Sequence, residues 1–245
     1  MGYKLDETIA EVKDAMASID TLYQAKCVNW GGKTSDTKEQ YSEVIANEIL
    51  LNLKEFGKIS KVTRSGSYCR DNHCQVQLDL CLSNRDEENF AKRITGLKLP
   101  EIGEVIDYQV PLKNTSGDKG VGKIDLISYN EETKTFHLIE LKYIRNSETL
   151  LRAILESYTY YQKVDQVKLI ADYIKDYKFK NSKTIKDVNP NDYKIVPSVL
   201  LSADCNPYLE LEEMEIGGRP KLKALTLFFG INLYKIAVDV YQAAI

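Results

Sequence analysis

The chain has 245 residues, of which 43% are hydrophobic and 28% charged, and its formal net charge is −3. Such a length and composition describe an ordinary soluble globular protein with one large domain, or one domain and an appendage, able to bury a full core without staples. The acidic balance argues against tight, sequence-blind coating of DNA, although a local basic patch is compatible with it.

No stretch reaches the roughly 18 apolar residues of a membrane-spanning helix. The N-terminal residues show no apolar run followed by a small-residue cleavage site. The expectation is therefore a cytoplasmic protein without membrane contact. Five cysteines, Cys27, Cys69, Cys74, Cys81 and Cys205, are an odd number and fit free thiols in a reducing compartment. Cys69, His73, Cys74 and Cys81 cluster, but their spacing is not that of a usual zinc knuckle. Half-buried strand cysteines are the preferred reading.

In chain order, Leu5, Ile9, Val12, Met16, Ile19 and Tyr23 recur at steps of three and four, predicting an amphipathic helix over 4–26. Residues 29–34, with Gly31 and Gly32, read as a loop. A second helix is expected to open near Ser35 and Asp36, since Asp36 and Glu39 have capping-box spacing. Its apolar stripe is Tyr41, Val44/Ile45, Ile49, Leu53 and Phe56, with Gly57 as the stop. Ile59 and Val62 begin an extended segment. Val76, Leu78, Leu80 and Leu82 alternate as a strand does.

Residues 84–94 read as a short polar helix. Residues 104–112 are extended, with Pro111 favouring a strand end or edge. A glycine-bearing loop over 114–122 leads into two strands, 123–129 and 135–144. Leu150, Ile154, Tyr158 and Tyr161 mark a helix over 147–164, and Val167, Ile170, Ile174 and Tyr177 mark another. Residues 178–192 form a polar connection. A strand over 195–202 follows, and Leu225, Leu227, Phe229, Ile231 and Leu233 alternate like one more. This order indicates an α/β fold, a central mixed sheet flanked by helices.

The hairpin over 122–143 carries the chemistry. Centring its loop between Glu132 and Thr133 sets Asp125 opposite Glu140 and Lys123 opposite Lys142. Glu140 and Lys142 are two apart, so their side chains share one face of the strand. Ile124, Leu126, Ile139 and Leu141 line the other face, while Ile127 and Leu138 sit beside the charges. Two carboxylates in such surroundings are costly unless a cation neutralises them. Mg2+, with Mn2+ as substitute, takes oxygen ligands and keeps several waters. Lys142 beside such an ion could orient or deprotonate a water, or stabilise charge developing on phosphorus. The competing reading is a solvent-facing ion-pair ladder.

Asp125 followed by Glu140-Leu141-Lys142 at the end of an apolar strand resembles the PD-(D/E)XK nuclease superfamily, and the order of elements is similar over roughly residues 36–202. One departure is Ile124 where the family pattern has proline. The resemblance implies a restriction-endonuclease-like core with an N-terminal helical extension. It further implies Asp125, Glu140 and the Leu141 carbonyl as metal ligands, Lys142 as a catalytic residue, and hydrolysis of nucleic-acid phosphodiester bonds, DNA before RNA.

The family's additional helix acid would be Glu43, preferred over Glu48; either also reads as a solvated helix residue. Glu156 and Tyr160 share a helix face, where some exonuclease branches of the family place Gln and Tyr. Lys123, Arg152 and Gln162 are the candidates to touch substrate phosphates. Arg152 also reads as half of a surface pair with Glu156. Lys113 and Lys119 lie on the rim of the loop, and the lysines at 175, 178, 180, 183 and 186 read as a solvated run. His137 should point away from the patch.

The expected organisation is an extension over 1–34, a core over 35–205 and a C-terminal helix/strand extension over 206–245. Substrate choice or self-association as a homodimer are the roles left for the additions. The rival function is a catalytically inactive protein of the same fold that binds nucleic acid or a protein partner.

Overall fold

The computed structural model describes residues 2–62, 64–69, 86–114, 121–176 and 190–237. Its helices are α1 (Leu5–Met16), α2 (Tyr41–Leu51), α3 (Asp86–Ile94), α4 (Leu150–Lys163), α5 (Gln166–Asp176), α6 (Asn206–Glu215) and α7 (Pro220–Phe229). Its strands are β1 (Lys98–Leu99), β2 (Gly103–Pro111), β3 (Lys123–Asn130), β4 (Thr135–Lys142), β5 (Lys194–Ser202) and β6 (Asn232–Ile236). The fold is α/β, with a six-stranded mixed sheet in the order β1-β2-β3-β4-β5-β6. Among the described residues no helix is long and apolar enough to cross a membrane. The strand expected over 76–82 lies outside them, as do His73, Cys74, Cys81, Lys119 and most of the polar connection before β5.

The chain divides into two compact units, and the divisions fall inside β4, α4 and β5. One unit comprises Lys61–Leu141, Tyr160–Ser198 and Ala237–Ile245. Its centre is the antiparallel run from β1 to β4. The β2–β3 register shifts between Val105 and Asp107, as a bulge does when one strand carries an extra residue. Every position of β4 is buried. That suits a strand covered on both faces, and it buries the polar Thr135, His137, Glu140 and Lys142 along with the apolar residues.

The first residues of β5 run alongside β4. Lys194 N–H donates to the Lys134 carbonyl at 3.0 Å, and the Ser198 hydroxyl meets His137 Nδ1 at 3.1 Å. Both contacts advance together along the chain, so the two strands are parallel here. A parallel pair needs a crossover, and α4 and α5 supply it. Asp107, fully buried, accepts from the Tyr173 hydroxyl at 2.7 Å and from Tyr108 N–H, so its carboxylate is satisfied inside the core.

The other unit comprises Met1–Ser60, Lys142–Thr159 and Val199–Ile236. The helix expected over 4–26 ends at Met16, and tighter 3₁₀ turns, Ile19–Gln24 and Lys26–Asn29, continue the path. Asp20 there is anchored by Ser60, whose N–H and hydroxyl donate to its carboxylate. A tertiary contact thus overrides a continuous helical period. The second helix starts at Tyr41, not near Asp36. Asp36 Oδ1 instead accepts from Leu5 N–H at 3.0 Å and Thr37 N–H at 2.8 Å, tying down the start of α1. That helix also stops before Gly57, because the Asn52 amide folds back onto the Glu48 carbonyl and carboxylate.

The alternation through Leu225–Leu233 is not one strand. Pro220 starts α7 and Gly230, at φ 64°, ends it, with Ile231 N–H bonded back to the Thr226 carbonyl. Glycine tolerates that left-handed turn, and β6 follows it. The buried face of α7 is Leu222, Leu225, Thr226 and Phe229, a helical period, while Leu227, which completes the alternation with Leu225 and Phe229, is exposed. The Phe229 ring stacks on Tyr158 at 3.9 Å and tilts against Phe56 at 4.9 Å.

Burial pushes His137 down from its ordinary 6.5 to about 4. The folded chain therefore holds this imidazole neutral, while the unfolded chain takes up a proton below pH 6.5. Stability from this group is complete above pH 6.5 and is lost as pH falls towards 4, in total about 3 kcal/mol. Urea unfolding at several pH values should show the parent losing up to about 1.4 kcal/mol per pH unit more than His137→Gln between pH 6 and 5. Parallel curves for the two proteins would contradict the neutral, buried histidine.

Candidate active site

The β3–β4 hairpin has the register that loop counting predicts. Its pairs run from Leu126↔Ile139 through Ser128↔His137 to Asn130↔Thr135. Asn130 closes the turn, its side-chain oxygen accepting from the N–H groups of Glu132 and Thr133. The last pair of the ladder is Leu126↔Ile139, and Asp125 and Glu140 are the next residues along the two strands. There Asp125 Oδ2 accepts the Leu141 N–H at 3.0 Å, so a side chain serves the β4 backbone where the ladder ends. Glu140 is 5% exposed and Lys142 4%, whereas Asp125 is half-buried. His137 lies apart from them, against Ser198, as strand alternation requires.

Asp125 has a second partner that the sequence does not advertise. Gln109 Nε2 donates to Asp125 Oδ1 at 2.9 Å, and Gln109 Oε1 accepts from Lys123 Nζ at 3.3 Å. Gln109 falls between the pairs Tyr108↔Leu126 and Val110↔Ile124, directly across from Asp125. Its φ of 50° is left-handed, which costs a residue with a Cβ about 1–2 kcal/mol. The only sequence signal is one uncharged polar side chain in an otherwise apolar strand end. Gly122, just before β3, sits at φ 90°, and a Cβ there would overlap the Tyr160 ring. The α4 face carrying Tyr160 thus approaches the base of β3 closely.

On the far side of Leu141, Lys142 Nζ lies 2.6 Å from Glu148 Oε2 and 3.6 Å from Glu156 Oε2. Arg152 Nε is 3.1 Å from Glu148 Oε1. The Lys142–Glu148 and Arg152–Glu148 contacts are charge contacts rather than well-aligned hydrogen bonds. Arg152 therefore pairs with Glu148 at i, i+4. Glu148 precedes α4 and was not among the residues picked out by spacing. It is held in place by Asn146, whose side-chain oxygen accepts the Glu148 N–H at 2.9 Å, and by Asn206, which donates to the Glu148 carbonyl.

The remaining candidates separate. Lys123 is exposed and reaches Gln109. Gln162 is half-buried on α4. Lys113 offers its carbonyl to Arg64. Glu43 caps α7: its two carboxylate oxygens accept the N–H groups of Lys221 and Leu222, each at 2.9 Å. A carboxylate at a helix N-terminus is favoured by both the orphan donors and the dipole. Glu48 meets Lys13 at 3.6 Å and Asn52 at 3.0 Å.

Among the described residues no group of three or more His, Cys, Asp and Glu side chains is placed to hold a metal ion. The smaller set of Asp125, Glu140 and the Leu141 carbonyl is all oxygen. Its chemistry suits Mg2+ or Mn2+, which commonly use one or two carboxylates and complete their shell with water and phosphate, and it does not suit Zn2+. Comparison with protein-family models gives no match, and comparisons with curated proteins and with solved structures give none.

Glu43→Ala should destabilise the protein by about 0.5–2 kcal/mol in chemical denaturation, as loss of a helix cap does. Mn2+ binding measured on the same variant should match the parent. A tenfold loss of Mn2+ affinity with unchanged stability would place Glu43 at the cation instead.

Proposed function

We propose that the chain is a divalent-cation-dependent nuclease that hydrolyses phosphodiester bonds, with DNA as the favoured substrate. The observation that carries this reading is the end of the β3–β4 hairpin. There Asp125 bonds the Leu141 amide, directly after Glu140 on a strand buried at every position. It agrees with the resemblance of Asp125 and Glu140-Leu141-Lys142 to the PD-(D/E)XK pattern.

In this reading the carboxylates of Asp125 and Glu140, with the Leu141 carbonyl, would hold the cation. When bound, Mg2+ lowers the pKa of a coordinated water and polarises a phosphoryl oxygen. The chain's own contributions follow from its geometry. Asp125 is oriented from two sides, by Gln109 and by the Leu141 N–H. Glu140, 5% exposed, presents its charge where little water competes. Lys142, two residues on and on the same strand face, supplies a fixed positive charge. That charge offsets the negative charge that grows on the phosphoryl oxygens as water attacks phosphorus in line and the P–O bond to the leaving alcohol breaks. Lys123, exposed at the start of β3, is placed to meet the substrate backbone, and a phosphate there gains a charge-assisted contact.

A second reading is favoured by one observation, the ion pairs from Lys142 to Glu148 and Glu156. A lysine neutralised by two acids suits a nuclease-fold protein that binds nucleic acid or a protein partner without cutting.

Cleavage of labelled plasmid and single-stranded DNA with Mg2+, Mn2+ or EDTA decides between them. The expected result is cation-dependent cutting that falls more than 100-fold in Lys142→Ala and in Glu140→Ala while circular dichroism stays native. Equal cutting by the Lys142 variant would overturn the assigned mechanism. No cutting by the parent under any condition would favour the binding role.

A further inference from the structure

Gln109 holds three features that do not normally occur together. It occupies a strand between two intact register pairs, it has a left-handed φ of 50°, and its amide is used at both ends by charged neighbours. The orientation of the amide is chemically determined. Nε2 faces the Asp125 carboxylate and Oε1 faces the Lys123 ammonium; the reverse would set acceptor against acceptor and donor against donor. Non-glycine residues in this backbone region persist where the surroundings over-determine them, and they concentrate at functional sites. Neither neighbour needs Gln109 for solvation, since Lys123 is exposed and Asp125 is half-buried.

We infer that Gln109 is a positioning residue, held in a strained backbone so that its amide fixes the Asp125 carboxylate for a divalent cation and the Lys123 ammonium for the adjoining substrate phosphate. The inference rests on the nuclease reading and extends it. Asp125 has two oxygens, one directed by the Leu141 N–H and the other by Gln109. Without the amide Oδ1 loses the Gln109 donor, and the carboxylate is held less firmly beside the Leu141 N–H. The same loss releases Lys123 to the solvent. Cation affinity and substrate affinity therefore fall together, although Gln109 touches neither ligand.

The test uses two variants whose stabilities differ. Gln109→Gly removes the amide and also relieves the left-handed strain, whereas Gln109→Ala removes the amide and keeps the strain. Thermal melting, Mn2+ binding by calorimetry or electron paramagnetic resonance, and the KM for a labelled DNA are measured on parent and variants. Gln109→Gly is expected to melt no lower than the parent, and Gln109→Ala lower. Both variants are expected to bind Mn2+ at least tenfold more weakly and to show a raised KM. A loss of affinity that ignores the stability difference is what a merely structural role would not produce. If both variants bind Mn2+ as the parent does, the positioning role is overturned and the nuclease reading stands. If affinity falls only in the variant that melts lower, Gln109 is structural. If the parent itself binds no Mn2+, the nuclease reading fails and takes this inference with it.

Discussion

Removing an ionised carboxylate or ammonium from water is among the largest unfavourable terms in a protein, and it is tolerated only where opposite charge or strong donors replace the lost hydration. β4 carries Glu140 and Lys142, both about 95% buried, within three residues. The neighbouring polar groups can be understood as the consequence. Glu148 and Glu156 surround the Lys142 ammonium, and Arg152 braces Glu148. Asp125 closes over the Leu141 amide, and Gln109 holds Asp125 in turn. A purely apolar strand here would be cheaper to bury.

Elsewhere buried charge is handled differently, and the contrast is instructive. Arg219 lies between Glu210 and Glu213 and also bonds the Ser42 hydroxyl. Burial pushes the Glu210 carboxyl up, the Arg219 guanidinium opposes that, and Leu150 N–H donates to it at 2.7 Å. These groups tie α2, α4, α6 and α7 together through closed pairs. Glu43, capping α7, belongs to the same scaffold. Around Asp125 the pattern is open: its carboxylate accepts from the Gln109 amide and the Leu141 N–H, and Lys123 is exposed at the rim.

The hairpin was legible because its determinants are local. The turn residues Asn130 to Lys134 set the register, which the structure keeps from Asn130↔Thr135 to Leu126↔Ile139. Helices with a strong apolar period, such as α4 and α5, were legible for the same reason. Gln109 was not, since its position opposite Asp125 depends on the register shift between Val105 and Asp107 in β2. Glu148 was not, because the bend between β4 and α4, with Arg145 at φ 61°, decides which carboxylate turns toward Lys142. Glu43 has the composition of a helix acid, but its partner is the N-terminus of α7, far along the chain. In the C-terminal part, Leu225, Leu227 and Phe229 fit both periods. Pro220 and Gly230, the start and stop signals on either side, were the stronger evidence for a helix.

The most direct measurement is paramagnetic broadening of backbone amide signals by Mn2+ added well below one equivalent to isotopically labelled protein. The expected result is early loss of the Asp125, Glu140 and Leu141 amides, with His137, on the opposite strand face, affected less. Broadening confined to exposed acids such as Asp86, Glu87 and Glu88, with the Leu141 amide unchanged, would contradict a cation held at the end of this hairpin.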